Sequence, residues 1–236
     1  MPADPFAAVA ALEGVPSAVA SARDGIDARL RERGRRRTGP DVTAASLLLG
    51  AVASAALDGS VCTADDLRAG RGDPVAAGAQ RLSAELLGML PVWRTSPVQA
   101  LARMHALAAP AGAADLGRPR SAGGAARLHA LAGRLLAPTD APALAIAAIV
   151  HAEVATIAAF GTYDAMVARG AERLVLVERG VDPASVTVPE AGHAATAQAY
   201  HTGLESYARD GTAGVRVWLL YAAQAYARGA QAAPLP

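Results

Sequence analysis

The sequence predicts an all-α protein, and three observations carry that expectation. Strong helix formers, chiefly alanine, leucine, arginine and glutamate, dominate the 236 residues. Runs of β-branched residues are short, and no region sustains the period-two alternation of a half-buried strand. Breakers and caps recur at the spacing of short helices rather than hairpins.

Each element follows from those signals in turn. A helix is expected over Pro16–Arg33, ending in the basic run Arg35–Arg37, with Gly39-Pro40 breaking the chain. Pro40 suits the first turn of a second helix reaching Leu57, which Asp58-Gly59-Ser60 stops. Thr63 with Asp66 three residues on resembles a capping box for a short helix. Asp73-Pro74 opens a helix to Leu90, and Ser96-Pro97 opens another to Ala109. The Gly-, Pro- and Ala-rich stretch 110–124 reads as loop, followed by a helix over Ala125–Ala137. Thr139 or Asp140 caps a central apolar helix from Ala141 to Ile157. Six residues without helical period, 158–163, separate it from a helix over Asp164–Arg179. A connector, 182–189, and helices over Glu190–Arg209 and Gly214–Arg228 complete the chain. The reading is an N-terminal helical extension (1–40), one helical domain (41–229) and a disordered tail (230–236).

Composition excludes several chemistries. The 22 basic residues are all arginine, and asparagine is absent too. Without lysine there is no Walker A loop, no Schiff base and no kinase-type lysine. Both absences, with abundant alanine, point to a GC-rich genome of actinobacterial type. A net charge of +1 argues against a polyanion-wrapping protein, so no nucleic acid is expected. The single cysteine, Cys62, excludes a disulfide framework and a cysteine-rich zinc site. The N-terminus lacks the pattern of an export signal, and the apolar stretch 141–160 carries His151 and Glu153, as a core helix rather than a membrane span would. The expected location is the cytoplasm, with no membrane partner.

No G-x-G-x-x-G, G-x-S-x-G or H-E-x-x-H pattern occurs. His151-Ala152-Glu153 opens like a zinc deaminase, but the P-C-x-x-C half is missing. The five histidines, 105, 129, 151, 193 and 201, show no ligand spacing and read as packed or surface residues, so no metal is expected. The arginines between Arg29 and Arg37 read as a solvated helix end.

One stretch says more. His151-Ala152 through Ile157, then Phe160 to Arg169, resembles the Fic family of AMP-transferring helical proteins, whose signature is H-P-F-x-x-G-N-G-R-x-x-R. Leu101–Leu107 followed by Gly117-Arg118-Pro119-Arg120 looks like that family's helix and substrate-binding flap. Ser54 through Asp58-Gly59 looks like its inhibitory segment, with aspartate for glutamate. The resemblance covers about residues 45–230 and implies a Fic-like domain of about eight helices with a small loop or hairpin flap.

The signature itself is eroded. Ala158 stands where the family's histidine acts as base on a target hydroxyl, and alanine takes no proton. Thr162 replaces the acidic residue that commonly holds magnesium. Tyr163, Asp164 and Ala165 replace the phosphate-cradling Gly-Asn-Gly, and Met166 replaces the first arginine. Only Phe160 and Arg169 survive of the eight defined positions. The resemblance therefore implies a binding or regulatory module without AMP transfer, its pocket formed by residues 160–165 and Arg169. The alternative is an enzyme that uses the remodelled pocket for nucleotidyl or phosphoryl-type transfer, with Asp164, His151 or Glu153 handling protons. No cofactor is expected; ATP and magnesium enter only if the altered pocket still holds nucleotide. A protein partner and a homo-oligomer both stay open. In relatives with an inhibitory segment, its glutamate reaches the last arginine of the signature, which makes Asp58 and Arg169 the pair to watch.

Overall fold

The computed structural model describes residues 4–34, 39–110 and 112–234. Among these, thirteen α-helices and one 3-10 turn form the fold and no strand occurs. The expected basic run at Arg35–Arg37 lies outside the described residues.

Local chemistry sets most helix starts. Asp4 caps α1 (Pro5–Ala10) by accepting from the backbone N–H of Phe6 and Ala7. A second helix, α2 (Val15–Gly34), precedes α3 (Pro40–Leu57), whose Pro40 sits in the first turn. Thr63 and Asp66 close a full capping box on α4 (Ala64–Arg68). Asp73 caps α5 (Pro74–Glu85) by accepting from Ala76 N–H. The single helix expected from Pro74 to Leu90 is instead interrupted. A 3-10 turn at Leu87–Met89 leads into α6 (Leu90–Thr95), because Pro91 has no N–H to continue the α-helical ladder.

Then come α7 (Pro97–Ala108) and α8 (Ala122–Leu136), the latter capped by Ser121 three residues earlier than the sequence suggested. The central pair is α9 (Ala143–Ile157) and α10 (Asp164–Glu178). The helix expected from Glu190 to Arg209 is two, α11 (Pro189–Ala194) and α12 (Ala197–Arg209). The last, α13 (Gly211–Gln231), runs past its expected end at Arg228, and Ala230 and Ala233 are buried. Beyond the N-terminal extension, eleven helices (α3–α13) rather than about eight reflect these interruptions and the short α4 and α11.

Nearly every residue of α9 from Leu144 to Val154 is buried, as is α10 from Met166 to Val177. A helix apolar on all sides belongs in the middle of the core. The two pack on each other more extensively than any other pair, while α7, α8, α12 and α13 also pack against α9 or α10. The N-terminal α2 lies along α13, and its Val15, Val19, Ala22 and Ile26 join the same hydrophobic cluster.

By length and composition α3 is apolar enough to cross a membrane, with mean hydropathy 1.5 over 18 residues. Its buried polar groups are matched inside the protein, however. Ser46 donates to Thr187 O, and Ser54 accepts from Arg169. The other tempting stretch, α9, is only 15 residues long.

Candidate functional site

The site is built where α9 stops and α10 begins. Ala158 ends α9 in the left-handed region (φ +46°, ψ +46°), and Tyr163 precedes α10 there too (φ +57°). Two non-glycine residues held in this conformation mark a loop whose shape the surrounding packing imposes. Gly161 lies between them at φ +75°. Ala158 is exposed, whereas Phe160 is buried.

The Asp164 carboxylate points back into its own loop. Oδ1 accepts from Phe160 N–H at 3.0 Å, so the side chain ties the loop together at the α10 N-terminus. Burial pushes its pKa up, against the loop N–H groups and the charge of Arg120, which pull it down. Standing where the family has the phosphate-loop asparagine, this carboxylate is already occupied by a backbone donor of its own loop.

Opposite lies the flap. Residues 112–120 form turns rather than a hairpin, with Asp115 and Gly117 at positive φ. Gly117 sits so close to α7 that a Cβ there would fall 2.6 Å from Ala102 O. Its N–H donates to His105 Nδ1 at 2.9 Å. Farther along, Arg120 N–H donates to Ala159 O at 2.8 Å, tying flap to loop. His105 stacks on Phe160, with ring centroids 4.5 Å apart and 11° between planes.

Burial pushes the His105 pKa down, favouring the neutral ring. Because Nδ1 accepts from Gly117, the proton belongs on Nε2, which lies 3.5 Å from Thr162 Oγ1. Between flap and loop is a cavity of about 520 Å³, lined by His105, Asp115, Arg118, Arg120, Phe160 and Thr162 among others. Sequence reasoning had Gly117, Arg118 and the 160–165 loop. It did not assign His105 or Arg120 a place in the site, although both belong to the stretches it compared with the family's helix and flap.

Arg169 occupies a second, wholly buried station. Its Nε donates to Ser54 Oγ (2.8 Å), Nη1 to Tyr200 Oη (3.1 Å), and Nη2 to Ser54 O (3.1 Å) and Asp58 Oδ2 (2.6 Å). Asp58 reaches it directly, although its side chain is one methylene shorter than glutamate. Gly59, at φ +90°, carries the chain away from the end of α3 immediately afterwards. The ion-pair partner of Arg169 is Asp58, not Glu172 three residues along the same helix or Glu153 on α9. Glu153 instead accepts from Tyr207 Oη at 3.0 Å and faces Arg134 at 3.6 Å.

His151 is fully buried, with Nε2 3.0 Å from the same Tyr200 hydroxyl that meets Arg169. On its other side, Nδ1 is 3.0 Å from Glu172 Oε1, and His193 approaches the same carboxylate. Burial pushes the His151 pKa down, with Glu172 opposing it. Burial likewise pushes the Glu172 carboxyl up, but the charges of His151 and His193 more than reverse this and hold it well below the usual range. Thus the histidines at 151 and 193 are packed, as expected. What the sequence did not show is that tertiary structure joins them through Glu172, 21 residues from each.

This architecture, with a long buried helix, a turned loop, a second buried helix and a flap across the loop, is the Fic fold. A Fic family protein from Desulfovibrio desulfuricans G20, known from a crystal structure, superposes with a TM-score of 0.76 over 91% of this chain and 73% of that chain, at 16% sequence identity. That likeness establishes the fold. No protein-family model matches the sequence, and no curated protein matches it either.

Proposed function

We propose that this Fic-fold chain does not transfer AMP and instead binds an anionic ligand between flap and loop, as a binding or regulatory module. The observation that carries this reading is the engagement and burial of Arg169. Four of its five N–H donors go to Ser54, Tyr200 and Asp58, and the buried guanidinium does not line the flap cavity. The residues present do not fit a magnesium nucleotide. Thr162 offers no carboxylate, and the Asp164 carboxylate is taken by its own loop. Ala158 supplies no base, which is worth about 10²- to 10⁴-fold in rate. The three other candidate proton carriers are engaged too, Asp164 with Phe160, His151 with Tyr200 and Glu153 with Tyr207.

The flap cavity remains the open concave site. Arg118 and Arg120 give it two guanidinium groups beside the neutral His105, a surface suited to a carboxylate or phosphate group. The same reading places the protein in the cytoplasm, with a small acidic molecule or an acidic protein segment as its ligand and no need for a metal-nucleotide cofactor.

Two measurements test it. Incubation with labelled ATP, magnesium and cell lysate should leave no label on any protein, and Ala158→His alone should not create labelling, because the phosphate loop is altered as well. Labelling by the wild type that Arg169→Ala abolishes would refute the first half. Binding of acidic probes, inorganic phosphate and dicarboxylates included, should weaken in Arg118→Ala and Arg120→Ala. Binding by both variants as tight as by the wild type would refute the second.

A further inference from the structure

Among the described residues, His151, Glu172 and His193 form a group of ligand-type side chains close enough to share a metal ion, and the proposed function leaves them without a role. They stand on three different helices, α9, α10 and α11, and all three are completely buried. One donor atom from each lies within 4.8 Å of the other two. His151 Nδ1 is 3.0 Å from Glu172 Oε1, and His193 Nε2 is 3.0 Å from Oε2.

Each group is also held by a tyrosine hydroxyl. Tyr200 meets His151 Nε2 at 3.0 Å, Tyr221 meets His193 Nδ1 at 3.1 Å, and Tyr226 donates to Glu172 Oε1 at 2.8 Å. Two features separate this cluster from an ordinary packed polar network. The buried His151 Nδ1 makes no aligned hydrogen bond, despite its closeness to the carboxylate. Moreover, the two buried arginines on α10 each have a carboxylate of their own, Arg169 with Asp58 and Arg173 with Glu190. Glu172 is a buried carboxylate on the same helix, and such a group calls for a cation.

We propose that His151, Glu172 and His193 form a buried structural site for a divalent transition metal of the zinc type. Two imidazole nitrogens and a carboxylate oxygen are a donor set zinc accepts. Tetrahedral ligands at about 2.0–2.1 Å from zinc stand about 3.3 Å apart. Glu172 Oε1 is 3.0 Å from His151 Nδ1 and 3.3 Å from His193 Nε2, and the two ring nitrogens, within 4.8 Å of each other, are the pair that must draw together. The tyrosines then act as outer partners. With metal on the near nitrogens, His151 Nε2–H and His193 Nδ1–H donate to Tyr200 and Tyr221, fixing ring orientation. Tyr200 has two lone pairs, enough for both His151 and Arg169 Nη1. Three protein ligands leave one position of the tetrahedron for an oxygen donor. Enclosed on every side, this metal meets no substrate. It enters as α9, α10 and α11 come together, and its binding is part of folding. The inference is independent of what occupies the flap cavity.

The competing occupant is a proton, and the experiment distinguishes the two. The full chain, without a histidine tag, is unfolded, stripped with chelator and refolded with or without one equivalent of Zn²⁺ or Co²⁺. The expected result is one metal ion per chain retained through gel filtration, with the visible absorption of tetrahedral Co²⁺ and a melting temperature several degrees above the metal-free refolded protein. Glu172→Gln should abolish stoichiometric retention, and Tyr221→Phe, which keeps all three ligands, should weaken affinity by about 10- to 100-fold. Should Glu172→Gln fail to fold, the wild-type Co²⁺ spectrum and Tyr221→Phe still decide. A wild type that refolds without retaining metal and melts identically with and without it overturns the proposal. So does stoichiometric metal held equally tightly by wild type, Glu172→Gln and Tyr221→Phe, since it would then lie elsewhere.

Discussion

Replacing Asp58 by alanine isolates one interaction that links α3 to α10. Arg169 is 1% exposed at its side chain and Asp58 24%, so the pair lies between the buried and exposed limits. Losing one partner of a buried pair costs about 3–5 kcal/mol, and of an exposed pair roughly 0–1 kcal/mol. Arg169 keeps three hydrogen bonds after the change, to Ser54 Oγ, Ser54 O and Tyr200. The carboxylate it loses is a charge-assisted partner at 2.6 Å, partly screened by water. The expected loss is therefore about 2 kcal/mol, or a fall in melting temperature of about 4–8 °C for a chain of this size.

Arg169→Met retains bulk but leaves Ser54 and Tyr200 without their donor, and should cost about 3–5 kcal/mol. A double-mutant cycle in urea then reads the coupling, expected at about 1–2 kcal/mol. Additivity within about 0.5 kcal/mol would refute the pairing. Nucleotide affinity adds a functional arm. Asp58→Ala should gain no measurable affinity for ATP, because Arg169 stays bound to Ser54 and Tyr200 and Thr162 still offers no carboxylate for magnesium. ATP binding acquired by Asp58→Ala would refute the proposal that the altered loop holds no nucleotide.

Three further outcomes follow from the site's geometry. Ala158→Gly should stabilise the protein by roughly 0.5–1 kcal/mol in thermal melts, since relief of the left-handed alanine outweighs the added freedom of the unfolded chain; a loss of stability would contradict the strain. Gly117→Ala should destabilise by about 1–3 kcal/mol and raise flap proteolysis, because its φ of +71° and the nearby Ala102 carbonyl both exclude a Cβ; unchanged protection would mean the flap is not anchored there. Asp164→Asn keeps an oxygen for Phe160 N–H but removes the titration. Since burial raises the folded-state pKa of Asp164, wild-type stability relative to this variant should grow as pH falls from neutral through that raised pKa toward the ordinary carboxylate value near about 4; a difference independent of pH would refute the assignment.

The sequence by itself determined the helical class and most helix starts, because caps and prolines act within a few residues. Asp73-Pro74, Pro40 and the Thr63–Asp66 box each stand where the structure uses them. The break over 158–163 was legible for the same reason, as was the order of segment 54–59, flap and loop that pointed to the Fic fold. Interruptions inside helices were less legible: Pro91 ends one turn and begins another within a stretch of good helix formers. What only tertiary structure decided is which side chains meet across long intervals of chain. Asp58 and Arg169 are 111 residues apart, and their direct contact depends on how α3 seats against α10. His105 enters the cavity because the flap folds back onto α7, and Glu172 gathers two histidines because α9, α10 and α11 converge. Local propensity carries no information on such distances. They are set by the close packing of an alanine-rich core, where small side chains let helix backbones approach and so fix which polar groups lie within reach of one another.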